Sequence, residues 1–285
     1  MSERLIRVDD IELAAEAFGD PADPPVLLVM GVMASMLWWP AAFCRQLAAQ
    51  GRYVIRYDHR DTGHSTTYEP GSPTYTFDDL VEDTFRVLDG YGLISAHLVG
   101  MSMGGFIAQL AALKHPARVT TLTVISTSPT GEDTSHLPGT TPAYMKHSER
   151  FAEVDWTDRA QAVAYLVEDS RHLAGAAHPF DEAATTALIE RDVDRAHTFA
   201  SVLNHTQLEG GDGPSLRISD LRSPLLVIHG AADPIFPFEH ALAFTTAVTD
   251  ATVLRLEDGG HELHEADWPA IIAAITTHTT PNGGR

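Results

Sequence analysis

The chain has 285 residues, 39 acidic and 19 basic, for a formal net charge of −20. That length suits one large α/β domain, or one domain with an insertion, and allows a substantial core. The acidic balance argues against nucleic acid, anionic membrane surfaces and acidic carrier proteins as partners, because like charge repels them.

In chain order, Met1 to Val8 carries charge where a secretory signal needs an apolar stretch, so a cytoplasmic protein is expected. Arg4 to Val8 and Glu12 to Phe18 read as two short strands around Asp9-Asp10, a hairpin. Val26 to Met30 is a continuous apolar strand. Pro24 to Cys44 holds no charge and is long enough to cross a bilayer, but Pro24, Pro25, Gly31 and Pro40 interrupt it, and Asp23 and Arg45 bracket it. A buried strand followed by an apolar loop is expected there, and no membrane span. Cys44, the single cysteine, excludes an intramolecular disulfide and reads as core filler on a helix.

Tyr53 to Tyr57 is a further strand. Phe77, Leu80, Val81, Phe85 and Leu88 recur at helical spacing, with Thr76 or Asp78 as cap. Then Ala96 to Val99 is an apolar strand, Gly100-Met101-Ser102-Met103-Gly104 a sharp turn, and Phe106 to Leu113 a helix. G-x-S-x-G between a strand and a helix is a nucleophile elbow, which exposes a serine hydroxyl above a sheet beside a helix N-terminus.

Val119 to Ile125, Leu225 to Ile228 and Val253 to Leu256 complete the strands. A helix near Trp268 to Ile275 precedes a polar tail. Continuous apolar strands alternating with helices predict a mostly parallel sheet covered on both faces. Residues 131–220 break that rhythm with helical patterns and few strand signals. An inserted helical cap is expected there, with residues 1–130 and 221–285 forming the core.

A serine hydroxyl needs a base to take its proton, and the base needs an acid to orient it. With this elbow the chain order is Ser, acid, His. Asp233 follows the Leu225–Ile228 strand and His261 follows the Val253–Leu256 strand, so Ser102, Asp233 and His261 are the expected catalytic set. Gly259-Gly260 would let the His261 loop reach the elbow. His264 is the rival base among 15 histidines, and Asp258 and Glu262 are rival acids. His261-Glu262-Leu263-His264 has the wrong spacing for a zinc protease helix, so neither metal nor cofactor is expected. Backbone N–H groups of Met103 and Val32 are the expected oxyanion donors.

With these residues in hand, the chain is identified as a member of the α/β-hydrolase fold family over essentially its whole length. Asp58-x-Arg60-x-x-Gly63-x-Ser65 resembles the family's D-x-R-G-x-G-x-S loop, with Asp61 in place of the usual Gly. Leu27-Leu28-Val29-Met30-Gly31 resembles its strand-to-oxyanion loop, with Met30 where many members have His. The resemblance implies an eight-stranded, mostly parallel sheet with helices on both faces. More narrowly, Phe18 to Pro24, Val54 to Gly63 and Leu98 to Gly104 are similar to the aclacinomycin methylesterase branch, which removes the methyl ester of an anthracycline polyketide. That similarity fades in residues 131–220.

Met30, Met33, Met36, Met101 and Met103, five of the seven methionines, converge at the top of such a sheet, with Trp38 and Trp39 close behind. Met33, Met36, Trp38 and Met101 are expected to line a pocket for an apolar acyl group, against ordinary core packing as the alternative. His59, His64 and His240 would line its rim or be solvated. The expected activity is hydrolysis of a small to medium apolar carboxylic ester, with a small-molecule ester as partner. Lactone hydrolysis, carbon–carbon bond hydrolysis and perhydrolysis fit the same residues. A slow-turnover ligand-binding module is the reading from another class. Sequence leaves open monomer or homodimer.

Overall fold

The computed structural model describes residues 3–211 and 216–280; the polar tail expected after Thr280 lies outside them, as do four residues of the 131–220 interval. Eight strands form one sheet in the order β1-β2-β4-β3-β5-β6-β7-β8. β1 (Arg4–Val8) and β2 (Ile11–Phe18) form the expected hairpin, turning at Asp9 with φ +53°, a conformation that a short aspartate tolerates. β2 also pairs antiparallel with β4 (Tyr53–Tyr57). β3 (Pro25–Val29), β5 (Ala96–Met101), β6 (Val119–Ile125), β7 (Leu225–Gly230) and β8 (Thr252–Leu256) continue the sheet in parallel from β4.

Parallel neighbours need crossover connections, and these cover both faces with helices. That is why β4 and β5 are buried at every position and read as mostly apolar, broken only by Arg56 and His97. Side chains alternate across the sheet. Val26 and Leu28 face α1 (Ala41–Ala48) and α8 (Trp268–His278), packing with Phe43, Leu47, Ile271 and Ile275. Leu27 and Val29 face α2 (Phe77–Gly90), α3 (Met103–Lys114) and α7 (Glu239–Ala247), packing with Leu80, Leu88, Ile107 and Phe244. Cys44 is buried on α1, as expected.

Of the two cap candidates for α2, Thr76 is used, in a capping box with Asp79, while Asp78 pairs with Lys114 at 2.5 Å. α7 has no counterpart in the sequence reading, because its apolar residues do not keep to one helical face. The uncharged run from Pro24 is β3, a loop, a 3₁₀ turn at Met36–Trp38 and the start of α1. Among the described residues no helix is long and apolar enough to cross a membrane. Between β6 and β7 the described residues form α4 (Pro142–Ser148), α5 (Arg159–Leu173), α6 (Glu182–Arg195) and three 3₁₀ turns, and no strand.

Backbones pack closely where β5 turns into α3. A Cβ on Gly100 would fall 2.1 Å from the Gly104 carbonyl oxygen, and one on Gly104 would fall 2.2 Å from the Val29 oxygen. Gly104→Ala should therefore lower unfolding free energy in urea by about 1–3 kcal/mol. Gly139→Ala, where a Cβ meets nothing within 4 Å, should change it by less than about 0.5 kcal/mol. Equal midpoints for the two variants would mean that the helix can lift off the sheet freely.

Candidate active site

Ser102 sits between β5 and α3 with φ +54° and ψ −121°, and its N–H donates to the Ile125 oxygen at 2.9 Å. A non-glycine residue held at positive φ is strained by roughly 1–3 kcal/mol and persists only because its surroundings over-determine it. The strain turns the hydroxyl away from the sheet, at the N-terminal end of α3.

Asp233 and His261 stand beyond the ends of β7 and β8. His261 Nδ1 donates to Asp233 Oδ2 at 2.8 Å. Asp233 Oδ1 accepts the N–H groups of Ile235 and Phe236, each at 2.9 Å. Burial by itself would raise this carboxyl, but the His261 charge and hydrogen bond, with lesser help from His229 and the Phe236 N–H, hold it below the usual carboxylate range. The acid therefore stays ionised, and the bond leaves His261 Nε2 for another partner. Ser102 and His261 share one cavity wall. Among the described residues no Ser102–His261 hydrogen bond is formed, as is common for such pairs without substrate.

The rivals are engaged elsewhere. Asp258 is exposed. Glu262 accepts the Gly175 N–H at 2.7 Å and lies 3.3 Å from His178 Nδ1, and His264 stacks on His178 with ring centres 3.9 Å apart. These contacts fasten the His261 loop to the segment after α5. The His261 N–H itself donates to the Leu173 oxygen at 2.8 Å. A Cβ on Gly260 would fall 2.2 Å from that same oxygen.

The loop after β3 passes over the serine: a Cβ on Gly31 would lie 3.3 Å from Ser102 Cβ. Val32, next in that loop, lines the same cavity as Ser102. In place of a histidine at Met30, His59 Nε2 donates to the Met30 oxygen at 2.9 Å, and His205 Nδ1 accepts the Met33 N–H at 3.1 Å. His59 is thus neither rim nor solvated. It is wholly buried, and burial, helped by neighbouring His205, pushes its imidazole down to about 3. His240 is buried too, between the Ser128 hydroxyl and the Pro138 oxygen, while His64 is half-exposed against Glu3. His205 carries no sequence signal, because 172 residues separate it from Met33.

The loop after β4 is a hydrogen-bonding hub. Asp58 accepts the N–H groups of Met36 and His64 and pairs with Arg195 of α6 at 2.7 Å. Arg60 makes two bonds to Asp83, at 2.8 and 3.0 Å. Asp61 occupies the usual glycine position at φ +65°, and its carboxylate accepts from Tyr75, Asn204 and the Tyr68 N–H. Its side chain secures a turn that glycine would leave looser.

The cavity measures about 740 Å³. Met33, Trp38 and Met101 are on its wall, facing Tyr144, Phe151, Trp156, Tyr165 and Phe199. Met36, also expected there, is not on the wall. It is 1% exposed, because its backbone is tied down on both sides, by Asp58 to its N–H and by Arg56 to its oxygen. Trp38 Nε1 donates to Asp192 Oδ2 at 2.8 Å, and burial raises the Asp192 carboxyl to about 6.

The model of the alpha/beta hydrolase fold matches residues 24–267. The chain belongs to the α/β hydrolase fold family. Two rhodomycin D methylesterases, from Streptomyces sp. (strain C5) and Streptomyces peucetius, are each 34% identical over 294 residues, covering 98% of this chain and 98% of theirs. The crystal structure of the esterase RhEst1 from Rhodococcus sp. ECU1013 superposes with a TM-score of 0.77 at 20% identity, over 99% of this chain and all of that one. The chain is accordingly an ester hydrolase of the α/β hydrolase family. The interval between β6 and β7 supplies most of the aromatic cavity wall.

The close backbone approach at Gly260 is open to a direct test. Gly260→Ala should displace the His261 loop and lower kcat for ester hydrolysis by at least about tenfold, since small misplacements of reacting groups are costly. Steady-state kinetics on any accepted ester checks this; an unchanged kcat would show that the loop is not held by that contact.

Proposed function

We propose that this hydrolase is a serine carboxylesterase that works through an acyl-enzyme. The observation that carries the reading is the 2.8 Å bond from His261 Nδ1 to a buried, ionised Asp233, on the cavity that Ser102 enters from its strained turn. Ser102 Oγ attacks the ester carbonyl as His261 Nε2 takes its proton. The tetrahedral oxyanion is received by the N–H groups of Val32 and Met103. His261 returns the proton to the departing alcohol, then activates a water that cleaves the acyl-enzyme, while Asp233 stabilises the imidazolium.

The cavity supports a large apolar acyl group. Its aromatic wall comes from residues 131–220, which we take as a cap on a core formed by residues 1–130 and 221–285. Among the described residues no lysine or arginine stands on the wall, whereas Asp169, Asp181, Asp192, Glu262 and Glu265 do, so an anionic acyl group would be repelled. Similarity to rhodomycin D methylesterases over the full length supports a methyl ester of a polycyclic, polyketide-type metabolite as substrate.

Ser102→Ala should abolish hydrolysis, by about 10⁴-fold or more in kcat, and Asp233→Asn should lower it by about 10³–10⁴-fold. Both are read on a panel of aromatic methyl esters, p-nitrophenyl esters and lactones. Near-wild-type turnover by Ser102→Ala overturns the mechanism. A preference for lactones over every methyl ester overturns the substrate class and leaves the triad standing.

A further inference from the structure

The loop that carries the Val32 N–H is anchored at both ends, and one anchor comes from outside the sheet core. On one side of Val32, the carbonyl of the Met30–Gly31 peptide accepts from His59 Nε2 at 2.9 Å. On the other, the N–H of the Val32–Met33 peptide donates to His205 Nδ1 at 3.1 Å. The peptide between them bears the Val32 N–H. The Val32 side chain is 42% exposed, so its own packing does little to fix that peptide. Met33 has φ +62°, a conformation that an unbranched L-residue keeps only when something holds it.

His205 is well placed to be that hold. It lies in the 3₁₀ turn Phe199–Thr206 and is buried. Its Nε2 donates to the Arg60 oxygen at 2.7 Å, so Nδ1 carries the lone pair that meets the Met33 N–H. The His59 ring packs edge-on to it with centres 5.9 Å apart. Burial lowers the pKa of His205, against weaker opposing effects of the Arg60 carbonyl and Asp61, which favours the uncharged ring that can accept.

We propose that His205 is a positioning residue for the oxyanion hole: by accepting the Met33 N–H it sets the direction of the Val32 N–H, while His59 holds the other end of the loop. The hole is then completed by a residue of the segment between β6 and β7, not by the core alone. This rests on the Ser102 esterase reading, in which Val32 N–H receives the oxyanion.

Asparagine and glutamine separate the two bonds of His205. Asn places a carbonyl oxygen near Nδ1 and loses the Arg60 contact; Gln keeps an amide near Nε2 and loses the Met33 contact. His205→Leu fills the site and makes neither bond, and serves if the Gln variant fails to fold. His205→Gln and His205→Leu should lower kcat and the rate of Ser102 labelling by a fluorophosphonate by about 10–100-fold, with KM within about threefold. His205→Asn should keep both rates within about threefold, whatever its melting temperature. Wild-type kcat in the Gln or Leu variant overturns the proposal. So does a loss in Asn equal to that in Gln, since the rate would then not follow the Met33 bond that Asn keeps and Gln loses. If wild-type enzyme is not labelled at Ser102, or Ser102→Ala stays active, both readings fall; if those controls behave and only the His205 variants do not, this one falls alone.

Discussion

The approach of α3 to the sheet through Gly100 and Gly104 is the constraint on which the site is built. Without side chains at those positions the helix backbone comes within contact of β3 and β5, and the residue between them is left with only a left-handed conformation. Ser102 is there because a strained residue at a strand–helix junction has its side chain pushed clear of the sheet. The same approach brings Gly31 against Ser102 Cβ. One packing contact thus sets the position of Ser102 and of the loop that faces it.

A second set of contacts joins the sheet to the helices between β6 and β7. Each loop at the top of the sheet ends on a partner from that segment. Met33 after β3 meets His205, Asp58 after β4 meets Arg195, and His261 after β8 meets the Leu173 oxygen. Trp38 meets Asp192 in the same way. Buried polar groups need partners, and here the core's loops find theirs outside the core. A motion of these helices would therefore be felt by the His261 loop and by the loop after β3 together.

The charge distribution follows from the same geometry. Asp233 stays ionised because a histidine and two backbone N–H groups converge on it despite burial. Among the described residues Asp192 has a tryptophan N–H but no cation to pair with, and burial raises it. Two buried carboxylates, Asp192 on the cavity wall and Asp233 behind His261, are thus set apart by their partners.

Much of this molecule was legible in its sequence. Largely apolar runs marked most of the parallel strands, because strands buried on both faces have little polar side to show. The elbow, and the order of Asp233 and His261 after their strands, were legible because each is a local turn whose residues are dictated by backbone geometry. What sequence could not supply were contacts between distant segments. His59 was expected on the pocket rim or in solvent, yet it is a buried donor to Met30, because burial depends on what folds over a residue. Met36 looked like pocket wall, yet the Asp58 carboxylate ties it into the core. His205 had no signal at all. Sequence by itself determined the sheet, the sharp turn at Ser102 and the candidates for acid and base, since these rest on periodicity and local sterics. Only the tertiary structure decided which histidines hold the loop after β3 and which residues line the cavity, since those depend on pairings that no spacing along the chain encodes.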